Sequence, residues 1–189
     1  MNKRTTIIIL ALIAFGYIVR LMPHLPNATP VTAIALASSL YLGRRAALFL
    51  PVAILFLSDI LIGFYDWRIM ASVYISFILV GALSWLAAKR PGLASNALII
   101  VGASLLFFLV TNFAVWAFSP LYEKSISGLI YCYTLGLPFL RNMLLGDILY
   151  TSIILGVFKV MGLSKQFAET KTASRSHAYQ TAAITRENF

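Results

Sequence analysis

Pro23-His24-Leu25-Pro26-Asn27-Ala28-Thr29-Pro30, followed by Val31-Thr32-Ala33-Ile34-Ala35-Leu36-Ala37-Ser38-Ser39-Leu40-Tyr41-Leu42-Gly43, is the stretch on which the fold turns. Its first part holds three prolines, which lack the backbone donor that a helix interior needs and push each preceding residue toward extended backbone. The thirteen residues 31–43 are largely apolar and end on glycine. As a helix they reach about 20 Å, short of the roughly 30 Å of hydrocarbon in a bilayer. Irregular backbone at membrane depth survives only where it packs in protein or lines a wet cavity. A short helix behind a proline-rich loop therefore predicts an invagination beside that loop.

The rest of the chain supplies the bilayer context. With 60% hydrophobic and 11% charged residues and a mean hydropathy of +0.88, too little polar surface is available to face water. Further apolar runs occupy residues 5–22, 46–63, 69–88, 95–118 and 139–162, each near the length of about twenty residues that a span requires. Residues 128–139 are apolar and aromatic but carry Gly136 and Pro138, and read as an irregular stretch ahead of the sixth span: a re-entrant loop, an interfacial helix or a lid. Residues 163–189 are polar and of mixed charge, as expected of a disordered cytoplasmic tail. The expected fold is all-α, an integral membrane bundle of six transmembrane helices over residues 1–162.

Charge orients these spans. From a cytoplasmic N-terminus, Lys3, Arg4, Arg44, Arg45, Lys89, Arg90, Lys159, Lys165, Lys171, Arg175 and Arg186 lie inside, eleven of the fifteen basic residues. Arg20, Arg68, Lys124 and Arg141 fall outside with four of the six acids, Asp59, Asp66, Glu123 and Asp147. The positive-inside bias then gives a multi-pass membrane protein with both termini cytoplasmic. The net charge of +9 invites a nucleic-acid reading, but the basic residues come as pairs in short loops and form no basic amphipathic helix, so no nucleic-acid partner is expected. Cys132 is alone and excludes an intrachain disulfide.

Polar groups inside the spans cost about 2.5 to 3.5 kcal/mol each when ionisable, so their positions carry information. Arg20 ends the first span, Asp59 lies about 6 Å below the end of the third, and Asp147 sits about 9 Å below Arg141 on the sixth. Helical spacing suggests four columns: Gly16, Tyr17, Arg20 and His24; Asp59, Ile62, Gly63 and Asp66; Ser104, Phe108, Asn112 and Trp116; Met143, Asp147, Tyr150 and Ile154. Polar and aromatic groups mixed at one end suit a pocket that orients a small organic molecule by a few polar contacts and stacks it on a ring. Arg20, Asn27, Asp59, Asn112, Trp116, Asn142 and Asp147 are the candidate lining, with Trp116 stacking. The alternative is that arginine–aspartate pairs and interfacial aromatics only hold the bundle together.

Ala33 with Ala37 forms a small-residue line, suited to close helix packing or to docking a partner membrane subunit. Catalysis finds no footing. Ser104 has no intramembrane histidine to activate it, and no P-loop occurs for ATP. His24 and His177 are the only histidines, so no metal-site motif exists, and a metal could be gathered only from separate helices by His24, Asp59 and Asp147. No cofactor is expected, and a membrane enzyme acting on a lipid-linked substrate would lack an activated nucleophile.

The run Arg20 to Pro30 leading into Val31-Thr32-Ala33, Ser58-Asp59 with Gly63, Thr111-Asn112-Phe113-Ala114-Val115-Trp116, and Gly128-Leu129-Ile130-Tyr131-Cys132-Tyr133 through Leu137-Pro138-Phe139 resembles a family of short bacterial membrane proteins of unknown function. That family is similar in layout to the substrate-binding S components of energy-coupling factor (ECF) transporters, and the resemblance spans residues 17–160. It implies six helices with both termini inside, a ligand pocket closed by the loops at 23–30 and 64–68, and small residues, here Ala33 and Ala37, that meet a shared transmembrane coupling subunit driven by ABC ATPases. The implied ligands are vitamins, related small organics or transition-metal ions. One departure is plain: the Ala-x-x-x-Ala line of S components usually sits on the first helix, and here it falls on the second. A non-transport scaffold or assembly protein is the alternative function.

Overall fold

The computed structural model describes residues 3–89 and 92–162. Its elements, in chain order, are α1 (Lys3–Leu21), α2 (Val31–Tyr41), α3 (Arg44–Ile62), α4 (Trp67–Ala87), α5 (Leu93–Phe118) and α6 (Ile126–Val160), with no strand among the described residues. Five of these helices are long and apolar enough to cross a membrane. The exception is α2, with 11 residues. The chain is thus an all-helical, multi-pass membrane protein by length and composition. Contacts divide it into a unit Met1–Ile154 and a second, Leu155–Phe189, of which the end of α6 is described. The expected tail, 163–189, lies outside the described residues.

The short helix is the centre of its unit. All residues from Val31 to Ser39 are buried, and α2 packs against α1, α3, α4 and α5. A helix enclosed on every side has no need to span hydrocarbon, so its length is set by its neighbours. The surrounding helices instead expose apolar side chains, among them Ile7, Phe49, Phe56, Ile75, Leu98 and Leu149. In water such a surface would aggregate; in a bilayer it is the solvated face.

Local chemistry sets the boundaries. Asp66 caps α4, its carboxylate accepting from the backbone N–H groups of Arg68 at 2.9 Å and Ile69 at 3.4 Å. The Arg68 side chain grips the same carboxylate through Nη2 at 2.8 Å and Nε at 3.2 Å, and holds Asp66 down to about 2, well below the usual carboxylate range. Gly63, at φ 106°, closes α3.

One expectation is corrected. Residues 128–139 are not irregular: they belong to α6, which runs unbroken for 35 residues. Ser125 starts it by accepting the Gly128 N–H at its hydroxyl, 3.1 Å away. Gly136 serves close approach and not a break, since a Cβ there would lie 2.5 Å from Asn112 Oδ1 and 2.8 Å from the Phe108 ring. Pro138 forgoes one backbone donor inside the helix, a loss that membrane helices tolerate when neighbours re-satisfy the freed carbonyl.

Candidate functional site

The loop between α1 and α2 and the loop between α3 and α4 lie at the same end of the bundle, and a cavity of about 370 Å³ opens between them. Arg20, His24, Asn27 and Thr29 line its polar side. Tyr65, Phe77 and Phe107 supply rings, and Ile62, Val73 and Met143 complete the wall. The volume falls within the range of small-molecule sites, roughly 300 to 1,000 Å³. The invagination expected beside the proline-rich loop is present.

The loop is held in place from two directions. Asn27 adopts φ 65°, a left-handed conformation that asparagine tolerates, and the Ala28 N–H closes a turn onto the Leu25 carbonyl at 2.9 Å. On α6, Gly146 lets the loop backbone come close: a Cβ there would lie 2.9 Å from Ala28 Cα. Any larger side chain at 146 pushes the loop, and Asn27 with it, away from the cavity.

Arg20 reaches from α1 to α3, donating from Nε to Ser58 Oγ at 2.6 Å and from Nη2 to Asp59 Oδ1 at 2.7 Å. Tyr74 of α4 donates to the other carboxylate oxygen, Oδ2, at 2.9 Å. The Arg20 side chain is 17% exposed and that of Asp59 is 4%. The acid therefore sits behind the arginine, fixing its orientation, while the guanidinium forms cavity wall. Tyr65, in the α3–α4 loop, has its phenol raised above the ordinary value by burial, with the Asp59 charge adding to the shift and Arg20 opposing it. It presents a neutral hydroxyl to the cavity at physiological pH.

The remaining candidates lie in other contacts. Asn112 of α5 is half-buried and donates to the Phe108 carbonyl of its own helix at 2.8 Å. The Trp116 indole donates to the Glu123 carbonyl at 2.9 Å, and Lys124 bonds back to the carbonyls of Trp116 and Ser119, so this tryptophan pins the α5–α6 loop and stacks on nothing in the cavity. Asn142 is half-buried beside Met143 in sequence and is not cavity lining. Asp147 is 1% exposed and accepts from Ser104 Oγ at 2.8 Å. Asp59, Asn112 and Asp147 thus join three separate networks. The gathered metal fails for the same reason: Asp59 is committed to Arg20 and Tyr74, the His24 ring bonds the Met22 carbonyl at 2.7 Å, and among the described residues no three His, Cys, Asp or Glu could share an ion.

Of the two roles expected for the Ala33 and Ala37 line, close helix packing is the one its burial fits. Ala33 and Ala37 are 1% and 0% exposed, enclosed by the chain's own helices. Their small side chains let neighbours approach α2 closely, and they offer no surface to a second protein.

Sequence reasoning missed Tyr65, Tyr74, Phe77 and Phe107 as parts of the site or its support. Phe107 carried a usable signal: Ile100, Ser104, Phe107, Thr111 and Ala114 repeat at alternating four- and three-residue steps and are all buried. No curated protein and no solved structure matches this chain. A family model does, over residues 1–172, and the chain belongs to that family, described as a family of unknown function (DUF6580).

Proposed function

We propose that this protein is a membrane-embedded substrate-binding subunit of an ECF-type importer, which captures a vitamin-like small molecule from the outer face. The cavity at the loop end carries the reading, because it combines a fixed guanidinium, an amide, a neutral phenol and two phenyl rings in a volume suited to one small organic molecule. Arg20 and Asn27 orient polar substituents of the ligand, Asp59 holds Arg20 in place, and Tyr65, Phe77 and Phe107 cover its flat faces. The charge bias of the loops supports an orientation with this end outside and both termini in the cytoplasm, and the resemblance to bacterial membrane proteins supports a bacterial inner membrane. Energy comes from a separate transmembrane coupling subunit and ABC ATPases, as the chain has no P-loop. On this reading the protein binds and does not catalyse, and it needs no cofactor.

A second reading, a scaffold or assembly protein whose intramembrane polar residues only bridge helices, draws on Asn112 and Trp116, whose polar atoms bond within the bundle. Mass spectrometry of small molecules extracted from the detergent-purified protein separates the two. An importer subunit carries one organic species near a 1:1 ratio and pulls down ATP-binding-cassette subunits; a scaffold yields neither.

A further inference from the structure

A buried polar cluster lies one helical turn beneath the cavity and takes no part in it. Asp147 follows the cavity residue Met143 by one turn of α6, and Ser104 precedes the cavity residue Phe107 by one turn of α5. Ser104 Oγ donates to Asp147 Oδ2, and the Thr32 side chain of α2 lies beside the same carboxyl. The other carboxylate oxygen, Oδ1, is fully buried and has no hydrogen-bond partner. Thr151, one further turn along the same face of α6, buries an Oγ1 that is also without a partner. Neither salt bridge of the described residues reaches Asp147.

Four hard oxygen donors from three helices, with one formal negative charge among them, match a small monovalent cation. A divalent ion would leave a net positive charge in the core, and a cation such as magnesium keeps several waters that a site this enclosed does not admit. A proton alone would satisfy the charge but would leave the buried oxygen of Thr151 without a partner. We propose that Asp147, Thr32, Ser104 and Thr151 hold a sodium ion in the core of the bundle. Bound there, sodium neutralises the carboxylate and ties α2, α5 and α6 together under the cavity floor. This holds whatever molecule fills the cavity above.

The test is thermal unfolding of the detergent-purified full chain, titrated with sodium chloride against choline chloride at constant ionic strength, at pH 8 and at pH 5. Sodium is expected to raise Tm saturably, by about 5 °C or more at pH 8, with a higher half-saturation concentration at pH 5, where protons compete for the carboxylate. Asp147→Asn abolishes the increment, and Ser104→Ala and Thr151→Val each raise the half-saturation concentration about tenfold or more while remaining folded in choline. A Tm indifferent to sodium at both pH values overturns the proposal, as does a pH-dependent Tm without sodium dependence, which means a proton alone. An increment of equal size in Asp147→Asn, or an unchanged half-saturation in both hydroxyl variants, overturns it equally.

Discussion

Asp59 and Asp147 are both carboxylates buried in membrane helices, and the chain treats them in opposite ways. Asp59 is met by a cation and a phenol, so that Arg20 and Tyr74 account for both of its oxygens. Asp147 is met by hydroxyls alone, with one oxygen left over. The difference teaches what each is for. A charge whose partner is built into the chain is a structural fixture, and here it fixes the guanidinium that forms cavity wall. A charge with no built-in partner must be neutralised by something the chain does not encode.

Substitutions can break that contrast, and the largest effect belongs to the paired acid. Arg20→Met leaves Asp59 buried without its cation and should cost about 3 kcal/mol, read as a fall in the midpoint of denaturant unfolding in mixed micelles. Combining it with Asp59→Asn should recover most of the loss, because the orphaned charge is then gone. Tyr74→Phe removes one hydrogen bond to a charged acceptor and should cost about 1.5 kcal/mol in the same assay. Asp147→Asn sharpens the comparison from the other side: in sodium-free buffer it should change stability by less than about 1 kcal/mol in either direction, since no partner is abandoned and a desolvated charge is removed.

Asp66 supplies the smallest effect and an exposed reference. Arg68 depresses its folded-state value to about 2 from 3.8, so the carboxylate's contribution is fully present above 3.8 and is lost as pH falls through about 2. Asp66→Asn should therefore flatten the acid limb of the stability profile between roughly pH 4 and pH 2 and leave the neutral plateau nearly unchanged, as expected of a solvent-screened pair. Unfolding midpoints measured across that interval check it.

Much of this arrangement could be read from residue order, and the failures have physical causes. The proline-rich loop and the short apolar run after it announced a short second helix and the cavity beside it, because few structures put irregular backbone next to so short a span. On α6 the column Met143, Asp147, Tyr150 and Ile154 steps by four, three and four residues, which keeps it on one face, and three of its four members are buried. The column proposed on α5 steps by four each time. At 100° per residue it drifts about 40° per step, so Trp116 ends about 120° around the helix from Ser104 and leaves the face that Phe107 and Thr111 share. Gly136 and Pro138 looked like breakers because their local preferences are strong. The cap at Ser125 and the close seat of Gly136 on Asn112 outweigh those preferences, and the second of these is a contact between residues 24 positions apart that no local pattern displays. The placement of Ala33 and Ala37 could not be read at all, because spacing shows that a line of small residues exists without showing which neighbour it meets.

The most direct measurement compares the small molecule that co-purifies with the wild-type protein and with Val73→Trp, which fills the cavity between the loops with an indole while leaving the Arg20–Asp59 pair and the Asp147 cluster in place. A cavity built for capture gives one organic species at close to 1:1 in the wild type, no such species in Val73→Trp, and similar unfolding midpoints for the two ligand-free proteins. Equal amounts of the same species in both proteins, or none in the wild type purified from its native membrane, would contradict a binding role for this cavity.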